Sequence, residues 1–148
     1  MKFYVDTSVW GGYFDKEFKE WTEPFIEQIR EGKFQATISD ITLDEVIKAP
    51  ENVRNLVYSM PEDFLEFVTI TEEQRSLAIK YIEEGALTQK FESDAQHIAI
   101  ATVLKVDSLV SWNFKHMVNF FRIRQYNSIN LKNGYAMIDI RTPKEVLI

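Results

Sequence analysis

Acidic and amide side chains recur in this 148-residue sequence next to apolar segments. Asp6 follows three residues with strand character, Glu45 lies in a short segment with helical spacing, and Asp94 precedes a long apolar run. Asn113 follows a further apolar segment. Three or four oxygen ligands without His or Cys suit Mg²⁺ or Mn²⁺. Such a metal lowers the pKa of a bound water and stabilises charge on a phosphate, which predicts hydrolysis of a phosphodiester bond.

Each candidate also has a purely structural interpretation. Asp6 could cap the helix that follows it, and Asp94 could be a first-turn acid that interacts with the helix dipole. Glu45 could be a solvated helix residue, and Asp44 beside it competes for its role. Because the two side chains point ~100° apart on a helix, only one of them is expected to face the site. His97, about one turn after Asp94, is predicted to be a hydrogen-bonded neighbour rather than a ligand. The apolar character of its helix favours a functional Asp94.

Aromatic and basic side chains in the second half of the chain have two interpretations as well. Trp112 and Phe114 are predicted to be core residues rather than platforms for stacked bases, and His116 is predicted to be structural. A group of basic residues is interpreted as a solvated edge, with contacts to RNA phosphates as the alternative: Arg122, Arg124 and Lys132.

Strand and helix patterns alternate along the whole chain. The predicted strands are residues 3–5, 34–39, 67–70, 108–111 and 135–140. A short helix or turn is predicted from Thr7 or Ser8 as far as Phe18, followed by a helix over 22–31 with Pro24 in its first turn. The further predicted helices are 42–48, 52–60, a helix capped by Thr71 and Gln74, 93–104, 113–120, a helix with a polar loop over 122–131, and a last turn capped by Thr142. This alternation predicts one α/β domain over residues 1–148, with a parallel sheet of about five strands and helices on both faces. The residues after its strands would meet at one crevice.

Composition narrows the possible functions. The net charge of −6 argues against non-specific binding of nucleic acid through bulk charge, but a metal site would account for part of the acid excess. The absence of cysteine excludes a disulfide framework, a thiolate metal site and a cysteine nucleophile, and fits a cytoplasmic setting. No apolar run approaches the ~20 residues that cross a bilayer, and no signal peptide precedes the first strand, so no membrane association is expected.

Four segments resemble motifs of the PIN-domain ribonucleases, in particular the VapC-like toxins of toxin–antitoxin pairs. They are FYVDTSVW, ISDITLDEV, ESDAQHIAIA and VDSLVSWNFKHM, in the order of the family. The resemblance implies a PIN-like doubly wound sheet, a divalent metal and endonucleolytic cleavage of RNA.

The resemblance also assigns roles to individual residues. Asp6, Glu45 and Asp94 match the three family acids, and Asp6 and Asp94 would hold Mg²⁺ or Mn²⁺. Ser8 matches a small polar residue that supports the first acid or a metal-bound water. Ser111 stands where the family has threonine or serine at the end of the fourth strand.

Asn113 departs from the family, which often has aspartate there. Its carbonyl oxygen would still serve a metal or its water, but without charge. With asparagine at this position, one metal would still be held by Asp6, Asp94 and waters, whereas a second metal would bind more weakly. Asp107 would compensate only if its side chain reached the crevice. The departure therefore bears on the strength of the activity and not on the fold.

The expected partners follow from the resemblance. They are an RNA substrate, a cognate antitoxin that covers the crevice, and a second copy of the chain in a homodimer. The aromatic content of 14% fits such an interface or an aromatic-rich core. The alternative function is a catalytically weak or inactive PIN-like domain that binds RNA or protein. A phosphatase with an aspartate nucleophile is disfavoured, because Ser8 stands where that chemistry needs a second aspartate.

Overall fold

Five parallel strands form one sheet at the centre of the molecule. The computed structural model describes all residues, 1–148. The strands are β1 (Lys2–Val5), β2 (Gln35–Ser39), β3 (Leu65–Val68), β4 (Ser108–Val110) and β5 (Ile140–Arg141). Their spatial order is β3-β2-β1-β4-β5, and every neighbouring pair is parallel. The predicted α/β class with a doubly wound sheet of about five strands is confirmed.

Helices connect the strands and cover both faces of the sheet. They are α1 (Thr7–Gly12), α2 (Lys19–Arg30), α3 (Asp40–Val46), α4 (Glu51–Tyr58), α5 (Glu72–Glu83), α6 (Glu92–Leu104), α7 (Phe120–Lys132) and α8 (Pro143–Val146). None of them has the length and apolar character needed to cross a membrane.

The central strand β1 is buried on both faces, which explains its continuous apolar sequence. Tyr4 belongs to a core formed with α5, α6 and α7, whereas Phe3 and Val5 belong to a core formed with α1, α2 and α4. This alternation follows from the two-residue repeat of a strand. The sheet thus separates two hydrophobic cores.

The direction of winding reverses between β1 and β4. From β1, the strands β2 and β3 lie on one side and β4 and β5 on the other. Val5 pairs with Val110, and Asp6 N donates to Val110 O at 3.0 Å. Asp6 and Ser111, which follow these two strands, are therefore neighbours at the carboxyl edge of the sheet, where ligands bind in folds of this type.

The helix α6 is apolar around most of its circumference and is correspondingly buried. It follows a 3₁₀ turn at Gln89–Phe91, and its C-cap is Lys105, whose φ of 56° is left-handed. Asp94 lies in its first turn and His97 about one turn later. Burial of this helix brings His97 against Tyr4 of β1, and Asp94 contacts Asn113 in the segment that follows β4.

The predicted helix over residues 113–120 is wrong. Residues 114–118 form turns, and α7 begins only at Phe120. The Asn119 side chain sets this start, because its Oδ1 accepts a hydrogen bond from Arg122 N at 3.2 Å.

The predicted strand over residues 135–140 is also wrong in extent, since β5 is only Ile140–Arg141. The Asn127 side chain explains the difference. Its Oδ1 accepts from Ile138 N at 2.7 Å and its Nδ2 donates to Ile138 O at 3.0 Å. Because both main-chain groups of Ile138 are bonded to α7, they do not extend the ladder with β4.

For the other helix ends, two sequence predictions agree with the structure and one differs from it. The Thr71 cap is confirmed, because Thr71 and Gln74 exchange both hydrogen bonds of a capping box. The second helix begins three residues earlier than predicted, at Lys19, so Pro24 lies in its second turn rather than its first. Gly32, with a φ of +76°, follows the end of that helix as expected.

Candidate active site

Asp6 lies at the end of β1 as the N-cap of α1 and is only 4% exposed. Its Oδ2 accepts hydrogen bonds from Ser8 N at 3.4 Å, Ser8 Oγ at 2.6 Å and Ser111 Oγ at 2.8 Å. Its Oδ1 accepts none. The capping and site interpretations of Asp6 are therefore compatible, because one oxygen is bonded to the protein and the other is free.

Ser8 and Ser111 connect Asp6 to the segment that follows β4. The two hydroxyl oxygens lie 3.3 Å apart. Ser8 Oγ accepts from Trp112 N at 2.9 Å, and Ser111 Oγ accepts from Asn113 N at 2.9 Å. Each serine therefore donates to the Asp6 carboxylate and accepts from the main chain, which fixes the carboxylate relative to both strands.

Glu45 lies half-buried on α3, whereas the competing Asp44 is exposed. Glu45 Oε1 accepts from Thr7 Oγ1 at 3.0 Å and contacts His97 Nε2 in a hydrogen-bonded ion pair. Burial raises the pKa of Glu45, but the hydrogen bond and charge of His97 outweigh it, so the pKa is lowered. The structure thus brings Glu45, and not Asp44, to the crevice.

His97 is fully buried beneath the acids. Its Nε2 lies 3.8 Å from Asp6 Oδ1, and its Nδ1 lies 2.6 Å from the Tyr4 hydroxyl. Burial lowers the pKa of His97, but its contacts with Tyr4, Glu45 and Asp6 outweigh burial and hold the pKa well above its ordinary value. His97 is a hydrogen-bonded neighbour of the acids, as predicted, and the Tyr4 contact is a part of the site that sequence reasoning missed.

Asp94 is half-buried in the first turn of α6, and its Oδ2 accepts from Asn113 Nδ2 at 3.3 Å. Burial and the negative charges of Asp6 and Glu45 raise its pKa to about 6, against the opposing effects of His97 and the Asn113 amide. The contacts of His97 show how the three acids are placed. His97 Nε2 contacts Glu45 Oε1 and lies 3.8 Å from Asp6 Oδ1, and Asp94 lies about one turn before His97 on α6. Side chains from β1, α3 and α6 therefore meet in this crevice.

Asn113 presents its amide nitrogen, and not its carbonyl oxygen, to Asp94. The orientation is fixed because Asn113 Oδ1 accepts from His116 N at 3.0 Å, a bond that only the oxygen can make. The oxygen that the sequence analysis assigned to a metal or its water is thus engaged with the main chain. Asp107 does not replace it, because Asp107 Oδ2 accepts from Lys2 N at 2.7 Å at the opposite edge of the sheet.

The donor set of the crevice fits a hard divalent cation by its chemistry. Asp6 Oδ1, Glu45 Oε2 and Asp94 Oδ1 make no hydrogen bond to the protein, while the second oxygen of each carboxylate is bonded. Carboxylate oxygens are the ligands of Mg²⁺ and Mn²⁺. No three His, Cys, Asp or Glu side chains are arranged as a set that would hold a metal as they stand.

Aromatic side chains lie beside the acids. Trp112 is buried, donates from Nε1 to Thr22 Oγ1 at 2.8 Å, and stacks on Phe18 with ring centroids 4.5 Å apart. Phe114 is 50% exposed, so the prediction that it is a core residue is wrong, whereas that for Trp112 is confirmed. His116 is buried against Phe91.

Solved structures of similar architecture include the crystal structure of VapBC2 from Rickettsia felis bound to a DNA fragment from the promoter. The alignment has 16% identity, covers 96% of this chain and 98% of the other, and has a TM-score of 0.62. The fold is PIN-like. The crystal structure of FitAcB from Neisseria gonorrhoeae matches at 10% identity and a TM-score of 0.60, covering 95% and 97% of the two chains. No protein-family model matches the chain, and the search of curated proteins gives no significant match.

Proposed function

We propose that this PIN-like chain is a metal-dependent endoribonuclease, a VapC-like toxin that a cognate antitoxin neutralises. The convergence of Asp6, Glu45 and Asp94 at the carboxyl edge of β1 and β4 carries the proposal. The four motifs that resemble VapC-like toxins support it, as does the fold shared with VapBC2.

Each residue of the crevice has a role in this proposal. Asp6 and Asp94 would hold Mg²⁺ or Mn²⁺, which when bound would supply an activated water and stabilise charge on the scissile phosphate. Glu45, whose Oε2 makes no hydrogen bond to the protein, would serve the same cation or its water as the third acid. Ser8 and Ser111 orient Asp6 through its Oδ2.

Asn113 has a different task from the one the sequence suggested. Its amide donates to Asp94 Oδ2 and so orients the second metal-holding carboxylate, leaving Asp94 Oδ1 free. In the proposal this is a positioning role, because the amide nitrogen has no lone pair to offer a cation.

The proposed partners are those of the toxin family. A small antitoxin would cover the crevice and place a basic side chain against the acids, and a second copy of the chain would form a homodimer. The net charge of −6 favours a basic partner segment at this surface.

Calorimetric titration with Mn²⁺, followed by RNA cleavage in the same buffer, tests the proposal. The parent should bind Mn²⁺ and cut RNA, and Asp94→Asn should lose both. Asp44→Asn is the matched control, because Asp44 is an exposed acid on α3 and should leave binding and cleavage unchanged. Cleavage by Asp94→Asn at the rate of the parent would show that the site is wrongly assigned.

A catalytically weak or inactive domain that binds RNA or protein is the second candidate. One observation favours it: residue 113 is asparagine where the family often has an acid, and its carbonyl oxygen is bonded to His116 N instead of being free for a metal. Metal binding without cleavage in the parent, with RNA binding unchanged by Asp94→Asn, would favour this alternative. Asn113→Asp should then raise Mn²⁺-dependent cleavage if the missing charge is the cause.

A further inference from the structure

We propose that His97, itself held by the buried Tyr4 hydroxyl, is a positioning residue that fixes the orientation of Glu45. The expected effect of this positioning on catalysis rests on the proposed function, whereas the geometry of the contacts does not. His97 Nε2 and Thr7 Oγ1 both contact the same oxygen of Glu45, Oε1. With Oε1 held from two elements, the carboxylate has one defined plane and a single free oxygen, Oε2.

The contact between His97 and Glu45 continues into a chain of buried, hydrogen-bonded polar groups. The Tyr4 hydroxyl lies 2.6 Å from His97 Nδ1 and 2.7 Å from Ser39 Oγ. Tyr4, His97 and Ser39 are all fully buried. A buried polar network of this kind keeps its members in one arrangement, because any rotation would leave a polar atom without a partner.

Both ends of the chain of contacts lie on the same short helix. Ser39 is the N-cap of α3, and Glu45 lies near the end of that helix. The helix has 7 residues, and isolated helices of this length are not stable in water. Tyr4 from β1 contacts the residue at which β2 passes into α3, and His97 from α6 contacts Glu45 near the other end of the helix. The same chain of contacts therefore holds α3 at both ends and restrains the position of Glu45.

The chemistry of this contact makes His97 a donor to Glu45 rather than a metal ligand. An ionised carboxylate accepts only, so His97 Nε2 must carry the proton of this bond. A protonated nitrogen has no lone pair for a metal. His97 Nδ1 can be protonated or unprotonated beside Tyr4, because the Tyr4 hydroxyl can either accept a hydrogen bond from it or donate one to it.

A double-mutant cycle between Tyr4→Phe and Glu45→Gln tests the positioning role. Single-stranded RNA is cleaved in Mn²⁺ by the parent, both single variants and the double variant. Tyr4→Phe removes one oxygen and frees His97 to turn, so we expect kcat to fall about tenfold at unchanged KM. In the Glu45→Gln background it should have no further effect, because no ionised carboxylate remains to be positioned.

A matched control separates positioning from loss of stability. Tyr81→Phe also removes a hydroxyl from a fully buried tyrosine of the same core, one that donates to Asn130 Oδ1. It should lower Tm without changing kcat. An equal fall in kcat for Tyr4→Phe in both Glu45 backgrounds, or no fall in the parent background, would overturn the inference.

Imidazole NMR distinguishes failure of this inference from failure of the proposed function. Without RNA or metal, the parent should show a slowly exchanging His97 Nε2 proton whose resonance moves in Glu45→Gln. If the parent gives this signal but cuts no RNA under any metal, the proposed activity fails and the positioning of Glu45 stands. An unprotonated Nε2 in the parent would overturn the inference whatever the cleavage result.

Discussion

The Ser111 hydroxyl provides a direct test of how the buried Asp6 carboxylate is stabilised. Ser111 is fully buried, donates to Asp6 Oδ2 at 2.8 Å and accepts from Asn113 N at 2.9 Å. Ser111→Ala removes a hydrogen bond to a charged group, worth about 1.5–3 kcal/mol, and leaves a main-chain N–H without its partner, at a cost of about 1 kcal/mol. We therefore expect the free energy of unfolding to fall by about 3 kcal/mol.

Urea denaturation at pH 7 in EDTA measures this loss without stabilisation by bound metal. Ser108→Ala, at the other end of β4, is the matched control. The Ser108 hydroxyl is buried but donates to neutral main-chain oxygens, Asp139 O at 3.1 Å and Leu109 O at 3.4 Å. Its removal should cost about 1 kcal/mol. If the two variants lose the same free energy within about 0.5 kcal/mol, the charged contact with Asp6 does not contribute as argued.

Three further predictions concern Asp94, the glycine pair of α1 and the cap of α5. Because the pKa of Asp94 is about 6 in the folded chain and near 4 when unfolded, the folded state binds more protons between these values. In EDTA, the stability of the parent relative to Asp94→Asn should therefore fall by up to about 2–3 kcal/mol as pH rises from 4 to 7, and pH-dependent urea denaturation that shows no such difference would contradict the raised pKa. Gly12→Ala should lower Tm, at a cost of about 1–3 kcal/mol, because its Cβ would lie 2.8 Å from Trp112 Cδ1, whereas Gly11→Ala, with nothing within 4 Å, should be neutral or stabilising. Equal Tm shifts for the two variants would refute the steric argument. Thr71→Ala should cost about 1 kcal/mol in urea denaturation, since it removes the side-chain acceptor of the capping box, and an unchanged midpoint would mean that water replaces it.

The amide of Asn113 illustrates how a substitution in a motif can change the role of a position. Aspartate in the same place would add a fourth negative charge to acids that already raise the pKa of Asp94. Asparagine instead donates to Asp94 and uses its oxygen for the main chain. The metal-free site is thereby less repulsive, which is the physical reason to test Asn113→Asp with and without Mn²⁺.

Interactions between residues close in the sequence were predictable from it. The apolar character of residues 3–5 and of α6 indicated burial, because helices and strands with no polar face have to be covered. The capping box at Thr71 forms between residues three apart, so its pattern is complete in the local sequence. The position of Asp6 at the end of β1 was likewise predictable from the local sequence of the strand, without any contact from a distant segment.

Failures of sequence reasoning arose where a distant side chain competed with a local pattern. Residues 135–140 have the composition of a strand, but Asn127 from α7 takes both main-chain groups of Ile138. Phe114 is apolar, but its segment forms turns rather than the predicted helix, and these turns bury Met117 while leaving Phe114 half exposed. Hydrophobicity alone does not show which of two available partners a main-chain group will bond.

The connection of Tyr4 to His97 and Glu45 was decided only by the tertiary structure. These residues lie on β1, α6 and α3, and they meet because the sheet places β1 between β2 and β4. Residue type and spacing identify which side chains are capable of chemistry. Strand order determines which of them become neighbours, since contacts between distant segments depend on how the whole chain packs and not on any one segment.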